Sequence, residues 1–247
     1  MELISLLKTE WYKQKRGLLW LFLLIIPSGT TLAMYLDMKI RYADYLLFRA
    51  KEEGINSWEM LLMENHHVLG WGVFLPLFVG IIYTLIYQME INQNSWKQYL
   101  SLPIKKENAF LSKFLMGFFF SFLLVALNTA GLVVVGKIIG FPEAIDWRVY
   151  GEYIFYQTIV IMGVASIQNW LSSYLLNPIV PVVIAFMGLI ISVILSSQFA
   201  KYFPYSLVTL VDSVKGHINL QVVLTSLLFA ILGLVFGVWN FKEKDIL

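Results

Sequence analysis

The chain has 247 residues, of which 59% are hydrophobic, 16% aromatic and only 14% charged, with a net charge of +2. A soluble domain carries about a quarter charged residues, so this much apolar surface does not fit one soluble core, and the solvent for much of the chain is lipid. Cysteine is absent, which excludes disulfides, thiolate catalysis and cysteine-ligated zinc, and a net charge of +2 says little about partners, among which no nucleic acid is expected.

The first element is the basic stretch MELISLLKTEWYKQKRG. Leu3, Leu7 and Trp11 recur every four residues, while Lys8, Glu10, Lys13 and Lys15 fall largely elsewhere on a helical wheel. Such a helix lies in the membrane interface with Trp11 and Tyr12 at headgroup level, as a plain basic anchor or as an elbow into the first span. The apolar run that follows is too long for a signal core and precedes no small-residue cleavage site, so it reads as a retained span. A bilayer core about 30 Å thick asks for roughly 20 apolar residues per helix. Six stretches qualify: 17–36, 69–88, 114–136, 153–171, 178–197 and 220–241. Their length and continuity exclude spanning strands. The expected fold is an all-α integral membrane protein with six transmembrane helices, a single domain over residues 1–247.

Six spans put both termini on one side. Lys8, Lys13, Lys15 and Arg16 crowd the residues just before the first span. With cytoplasmic termini the inner segments hold ten of the eighteen basic residues and only six of the sixteen acids. Both termini are therefore expected to be cytoplasmic, following the bias of Lys and Arg toward that side.

Residues 37–68 form an outer segment, expected to be a solvated loop with one small helix. Glu59, Glu64, His66 and His67 do not make a metal site there, because adjacent histidines point apart on a helix and no HExxH spacing exists. The next connection, NSWKQYLSLPIKKENAFLSKFL, is unlike a plain linker. Trp96, Tyr99 and Leu100 share one helical face, with Lys97, Gln98 and Ser101 on the other. Pro103 disfavours helix at Leu102 and can open the next helix, a stem leading into the third span. The aromatic face is about one turn long, too short to fold alone, so it wants either the lipid surface or a groove on another protein.

The spans carry uncharged polar groups: Asn128 and Thr129 in the third, Gln157, Thr158, Gln168 and Asn169 in the fourth. They serve helix-to-helix hydrogen bonds or line a pathway. No acid or base lies deep in the spans as drawn, which disfavours an ion-driven carrier. GLVVVGKI, Gly131 to Ile138, imitates a phosphate-binding loop but has Ile138 where Ser or Thr is needed, and it follows a helix rather than a strand. Its glycines, with Gly136/Gly140 and Gly233/Gly237, fit close helix packing instead. No G-x-S-x-G or HExxH supports an enzyme, and Glu52-Glu53 lacks the arginine of a membrane CAAX-type protease pattern. Residues 198–219, interrupted by Pro204, suit a re-entrant or surface-lying pair of short helices on the outer face.

Taken together, six spans, an N-terminal interfacial helix and an amphipathic cytoplasmic piece between spans two and three resemble the permease subunits of ABC type 2 exporters. LKTEWYKQKR and MEINQNSWKQYLSLPIKKENAFLSKFL resemble the bacterial permeases that give self-protection against lantibiotics and bacitracin, through Glu90, Trp96, Leu102-Pro103 and Lys113. The resemblance implies a transport subunit of the bacterial cell membrane with no cofactor of its own. ATP and Mg would be used by a separate ABC ATPase dimer, whose grooves receive the coupling residues Glu90, Trp96, Lys97, Tyr99, Leu100, Leu102 and Pro103. It further implies a second permease chain, identical or related, and an amphipathic peptide antibiotic as cargo. An exporter of a lipid or small drug, and a membrane peptide sensor that does not transport, share the same features.

Overall fold

The structure is a computed structural model that describes residues 2–15, 17–92, 104–175, 177–195, 197–211 and 219–243. Among these residues it is helical and contains no strand. The helices are α1 (Glu2–Gln14), α2 (Leu18–Arg41), α3 (Leu47–Glu53), α4 (Ser57–Met63), α5 (Trp71–Asn92), α6 (Lys106–Ile139), α7 (Trp147–Tyr174), α8 (Ile179–Ile194), α9 (Ser197–Ala200) and α10 (Leu220–Glu243).

Five helical stretches are long and apolar enough to cross a membrane: Leu18–Glu53, Trp71–Ile91, Lys106–Ile139, Trp147–Tyr174 and Leu220–Glu243. The fifth predicted span, 178–197, is the shorter helix α8, whose 16 residues reach about 24 Å. The other spans run past their sequence-drawn ends because polar residues continue the helix beyond the apolar run. α6 begins at Lys106 rather than Phe114 and so takes Lys113 into its buried face.

One end of the bundle gathers both ends of the chain. Glu2 accepts from the Lys105 backbone N–H at 2.6 Å, Lys242 pairs with Glu107, and Phe241 packs against Phe110. α7 and α10 lie side by side and run in the same direction. Ser226 Oγ donates to Val160 O at 2.6 Å, Ser166 Oγ to Phe229 O at 3.2 Å, and Trp170 stacks on Phe236. Small residues permit this approach, and in apolar surroundings such packing and hydrogen bonding hold helices together. A Cβ on Gly233 would strike Ser166, and one on Gly237 would strike the Phe110 ring. The phosphate-loop look-alike is explained the same way: Gly131 faces Thr31 of α2, and Gly136 faces Trp58 of α4.

The far end differs from the expected solvated loop. Residues 37–68 form a folded helical cap. A π-turn at Tyr42–Leu46 links α2 to α3, Gly54 stops α3 with a left-handed φ of 68°, and an Asn56/Glu59 capping box starts α4. Trp58, Met60, Leu61 and Leu62 are buried with Met34, Met38 and Tyr150, which is why the segment cannot be loop. Glu64 is buried and anchors the cap by accepting from Arg41 and Arg49, each at 3.0 Å.

The segment after α8 turns back among the helices. Tyr205, Leu207 and Val208 belong to the main core beside Trp71 and Val79, and Tyr205 fills the space opposite Gly188. His66 ties this segment to the cap. Its Nε2 lies 3.0 Å from Val208 O, an atom that only accepts, so Nε2 carries the proton and Nδ1 accepts from the Tyr153 hydroxyl at 3.0 Å. Burial, with His67 nearby, lowers the His66 pKa from 6.5 to about 3.

Two outcomes are expected. Gly237→Leu forces its side chain into Phe110 and lowers stability by about 1–3 kcal/mol, read as a lower melting temperature in detergent. An unfolded His66 binds a proton below pH 6.5 and the folded one does not until about pH 3. Its contribution is therefore complete above pH 6.5 and lost as pH falls, at about 1.4 kcal/mol per pH unit. Between pH 7 and pH 5 the wild type should lose about 2 kcal/mol more than His66→Gln, measured by parallel unfolding titrations.

A buried ion cluster as candidate functional site

Four charged side chains meet where α1, α5 and α6 converge at the end holding the chain termini. α1 supplies Glu10 and Lys13, α5 supplies Glu90, and α6 supplies Lys113. Lys113 Nζ donates to Glu10 Oε2 at 3.0 Å and to Glu90 Oε1 at 2.7 Å. Lys13 Nζ donates to Glu10 Oε1 and to the same Glu90 oxygen, both at 2.7 Å. Lys113 and Glu10 are 0% exposed and Glu90 is 2% exposed, with only Lys13 reaching the surface. Two ammonium groups face two carboxylates, so the cluster is neutral as a whole. That balance makes burial tolerable, because an unpaired charge at these positions would carry its full desolvation cost. Burial works against the Lys13 ammonium, but Glu10 and Glu90 outweigh it and hold its pKa above the ordinary lysine value.

Local sequence explains how each helix presents its group. On α1 the buried stripe is Leu6, Glu10 and Gln14, one residue away from the predicted Leu3, Leu7 and Trp11 stripe. Trp11 turns outward and packs edge-on against Trp20 at 5.7 Å while stacking with Phe120 at 6.0 Å. The expectation that Glu10 sits on the polar face is corrected: the strongest contacts of α1 are ionic, and they choose the face. Glu90 and Lys113 lie just outside the spans as drawn from sequence, 69–88 and 114–136, and enter helices only because α5 and α6 extend past those bounds. Sequence reading singled out Glu90 and the Lys113 stem. It did not find Glu10 and Lys13 as their partners, and the one local signal was an acid beside the apolar stripe of a basic segment.

Glu90 and Lys113 are also the roots of the α5–α6 connection. The predicted docking residues Trp96, Lys97, Tyr99, Leu100, Leu102 and Pro103 lie outside the described residues. A trail of contacts leads from the cluster into the bundle. The Lys113 ammonium sits 5.0 Å from the Tyr87 ring centroid, and the Tyr87 hydroxyl donates to Asn169 Oδ1 at 3.0 Å. The neighbouring Gln168 donates to the Tyr205 hydroxyl at 2.6 Å. Asn128 accepts from Thr30 at 2.8 Å, and Gln157 accepts from Trp71 at 2.8 Å. Thr129 and Thr158 bond to carbonyls of their own helices. Asn128, Gln157 and Asn169 thus bond to a side chain of another helix and Gln168 to the segment after α9, and all four are fully buried. An open apolar groove of about 560 Å³ lies elsewhere, between α2 and α6, around Pro27, Ser28, Thr31 and Gly131.

Residues 6–200 match the protein family described as ABC-2 family transporter protein. No curated protein matches the chain.

Removing Lys113 tests the cluster. Lys113→Met leaves two buried carboxylates facing only Lys13 and should cost about 3–5 kcal/mol, measured by chemical unfolding in detergent. Adding Glu90→Gln to that variant should recover part of the loss, since one ammonium cannot offset two buried carboxylates and Lys13 keeps its pairing with Glu10.

Proposed function

This chain belongs to the ABC-2 family of transporter proteins, and from that premise we propose that it is the permease half of an exporter driven by a separate ATPase. It is a multi-pass membrane protein whose helices make up the transport subunit. In the proposed arrangement the end with the ion cluster is cytoplasmic in a bacterial cell membrane. α8 completes a sixth crossing, because the chain has to return to the far end of the bundle between the co-directional α7 and α10.

The observation that carries the reading is the position of the ion cluster. Glu90 and Lys113 flank the α5–α6 connection and are both bonded to α1. A push on residues 93–103 would therefore reach α1, α5 and α6 together rather than bending one helix. In this reading Trp96, Tyr99, Leu100 and Leu102 seat in a groove of an ABC ATPase dimer. Lys97 lies on the opposite, polar face, and Pro103 sets the bend before α6. ATP and Mg act on the ATPase, whose closure moves the seated helix. The cluster then passes that motion into the spans. A second permease chain completes the pathway.

The proposed cargo is an amphipathic peptide antibiotic. The support is the resemblance of the stretches around Glu10 and Trp96 to lantibiotic and bacitracin self-protection permeases.

Trp96→Ala with Leu100→Ala tests the coupling. The double variant should insert into the membrane normally and lose co-purification of the ATPase by at least tenfold. Retained ATPase together with retained transport would remove residues 93–103 as the docking element. For the cargo, peptide-stimulated ATP hydrolysis by the reconstituted complex is expected to exceed the basal rate several-fold. An equal rate with and without peptide would exclude a peptide substrate.

A further inference from the structure

α1 has two working faces. Leu6, Glu10 and Gln14 are turned inward. The opposite side bears Ile4, Lys8, Trp11, Tyr12 and Lys15, all exposed, and it borders a cavity of about 420 Å³ lined by Ile4, Leu7, Lys8, Trp11, Tyr12 and Met116. That volume lies within the range of small-molecule sites, roughly 300–1,000 Å³. Its lining is apolar and aromatic except for Lys8, and Lys15 lies about two helical turns further along the same exposed side. Among the described residues no acid pairs with Lys8, and the Lys15 ammonium lies 4.9 Å from the Tyr12 ring centroid. Glu10, the acid closest in sequence, is buried on the inward side and engaged by Lys113 and Lys13.

Depth along the bundle is fixed by Trp11, which packs against Trp20 of α2 and against Phe119 and Phe120 of α6. The cavity thus sits beside the first turns of an apolar helix whose exposed wall carries Leu18, Leu21, Leu24 and Ile25. A largely apolar recess that holds Lys8 and the aromatics Trp11 and Tyr12, next to the Trp11–Trp20 contact with α2, matches one kind of occupant, an amphiphile with an anionic head.

We propose that this recess binds an anionic phospholipid of the leaflet on the side of the chain termini, with its phosphate on Lys8 and Lys15 and acyl carbon over Leu7 and Met116. The inference rests on reading that end as a membrane face, and it adds a regulator to the coupling site, since the lipid and the ion cluster grip opposite sides of one helix.

The test uses the full chain alone in vesicles, with no ATPase, so it does not depend on whether the exporter reading holds. Trp11-dependent fluorescence is obtained by subtracting the Trp11→Phe signal. Quenching is then compared for brominated phosphatidylglycerol and brominated phosphatidylcholine. The anionic lipid should reach half-quenching at a several-fold lower mole fraction, on the scale of roughly fivefold per lysine near the surface. Lys8→Gln with Lys15→Gln, both surface positions, should remove the preference while leaving the melting temperature unchanged. Equal quenching by the two lipids would overturn the proposal, as would a preference that survives the double variant. Cancellation by millimolar inorganic phosphate would assign the lysines to a free anion instead. Absence of quenching by either lipid would assign the recess to protein.

Discussion

Taking a lysine out of water is costly, and taking two carboxylates with it is costly again. The arrangement of Glu10, Lys13, Glu90 and Lys113 is tolerable only because each charge is offset at 2.7–3.0 Å. That constraint propagates. α1 has to lie against α5 and α6 with Glu10 inward, which turns Trp11 outward onto Trp20 and Phe120 and sets how α2 leaves α1. α5 and α6 have to stay together at the point where the chain departs for residues 93–103. Neutrality of the cluster thus organises the end of the bundle from which the chain leaves for residues 93–103.

The opposite end solves the same problem with different residues. Glu64 is buried beneath Arg41 and Arg49, and neutral His66 bridges Tyr153 and Val208. Between the two ends the helices are joined mainly by small residues and uncharged hydrogen bonds. Lipid offers no hydrophobic drive for helix association, so close backbone approach at Gly131, Gly163 and Gly233 replaces it.

The family assignment and the cluster bear on function in complementary ways. Family membership says that the chain is a transport subunit. The cluster ties α1, α5 and α6 together at the point where the chain leaves for residues 93–103, which is the contact network the proposed coupling draws on.

Sequence alone determined the elements that depend on local pattern. Long apolar runs gave the helices, because helix is the structure that satisfies the backbone of a single segment in lipid. The glycine spacings gave close packing, and the charges flanking the α5–α6 connection pointed to Glu90 and Lys113. Only the tertiary structure decided what depends on which helices meet. Glu10 looked like a solvated charge because Lys113, the partner that draws it inward, lies 103 residues away in the chain. Residues 37–68 looked like loop because mixed polar composition hides a buried face until α6 and α7 are there to cover it. α1 turned one position from its apolar stripe because Glu10, once buried, has to face Lys113 and Lys13 rather than stand unpaired.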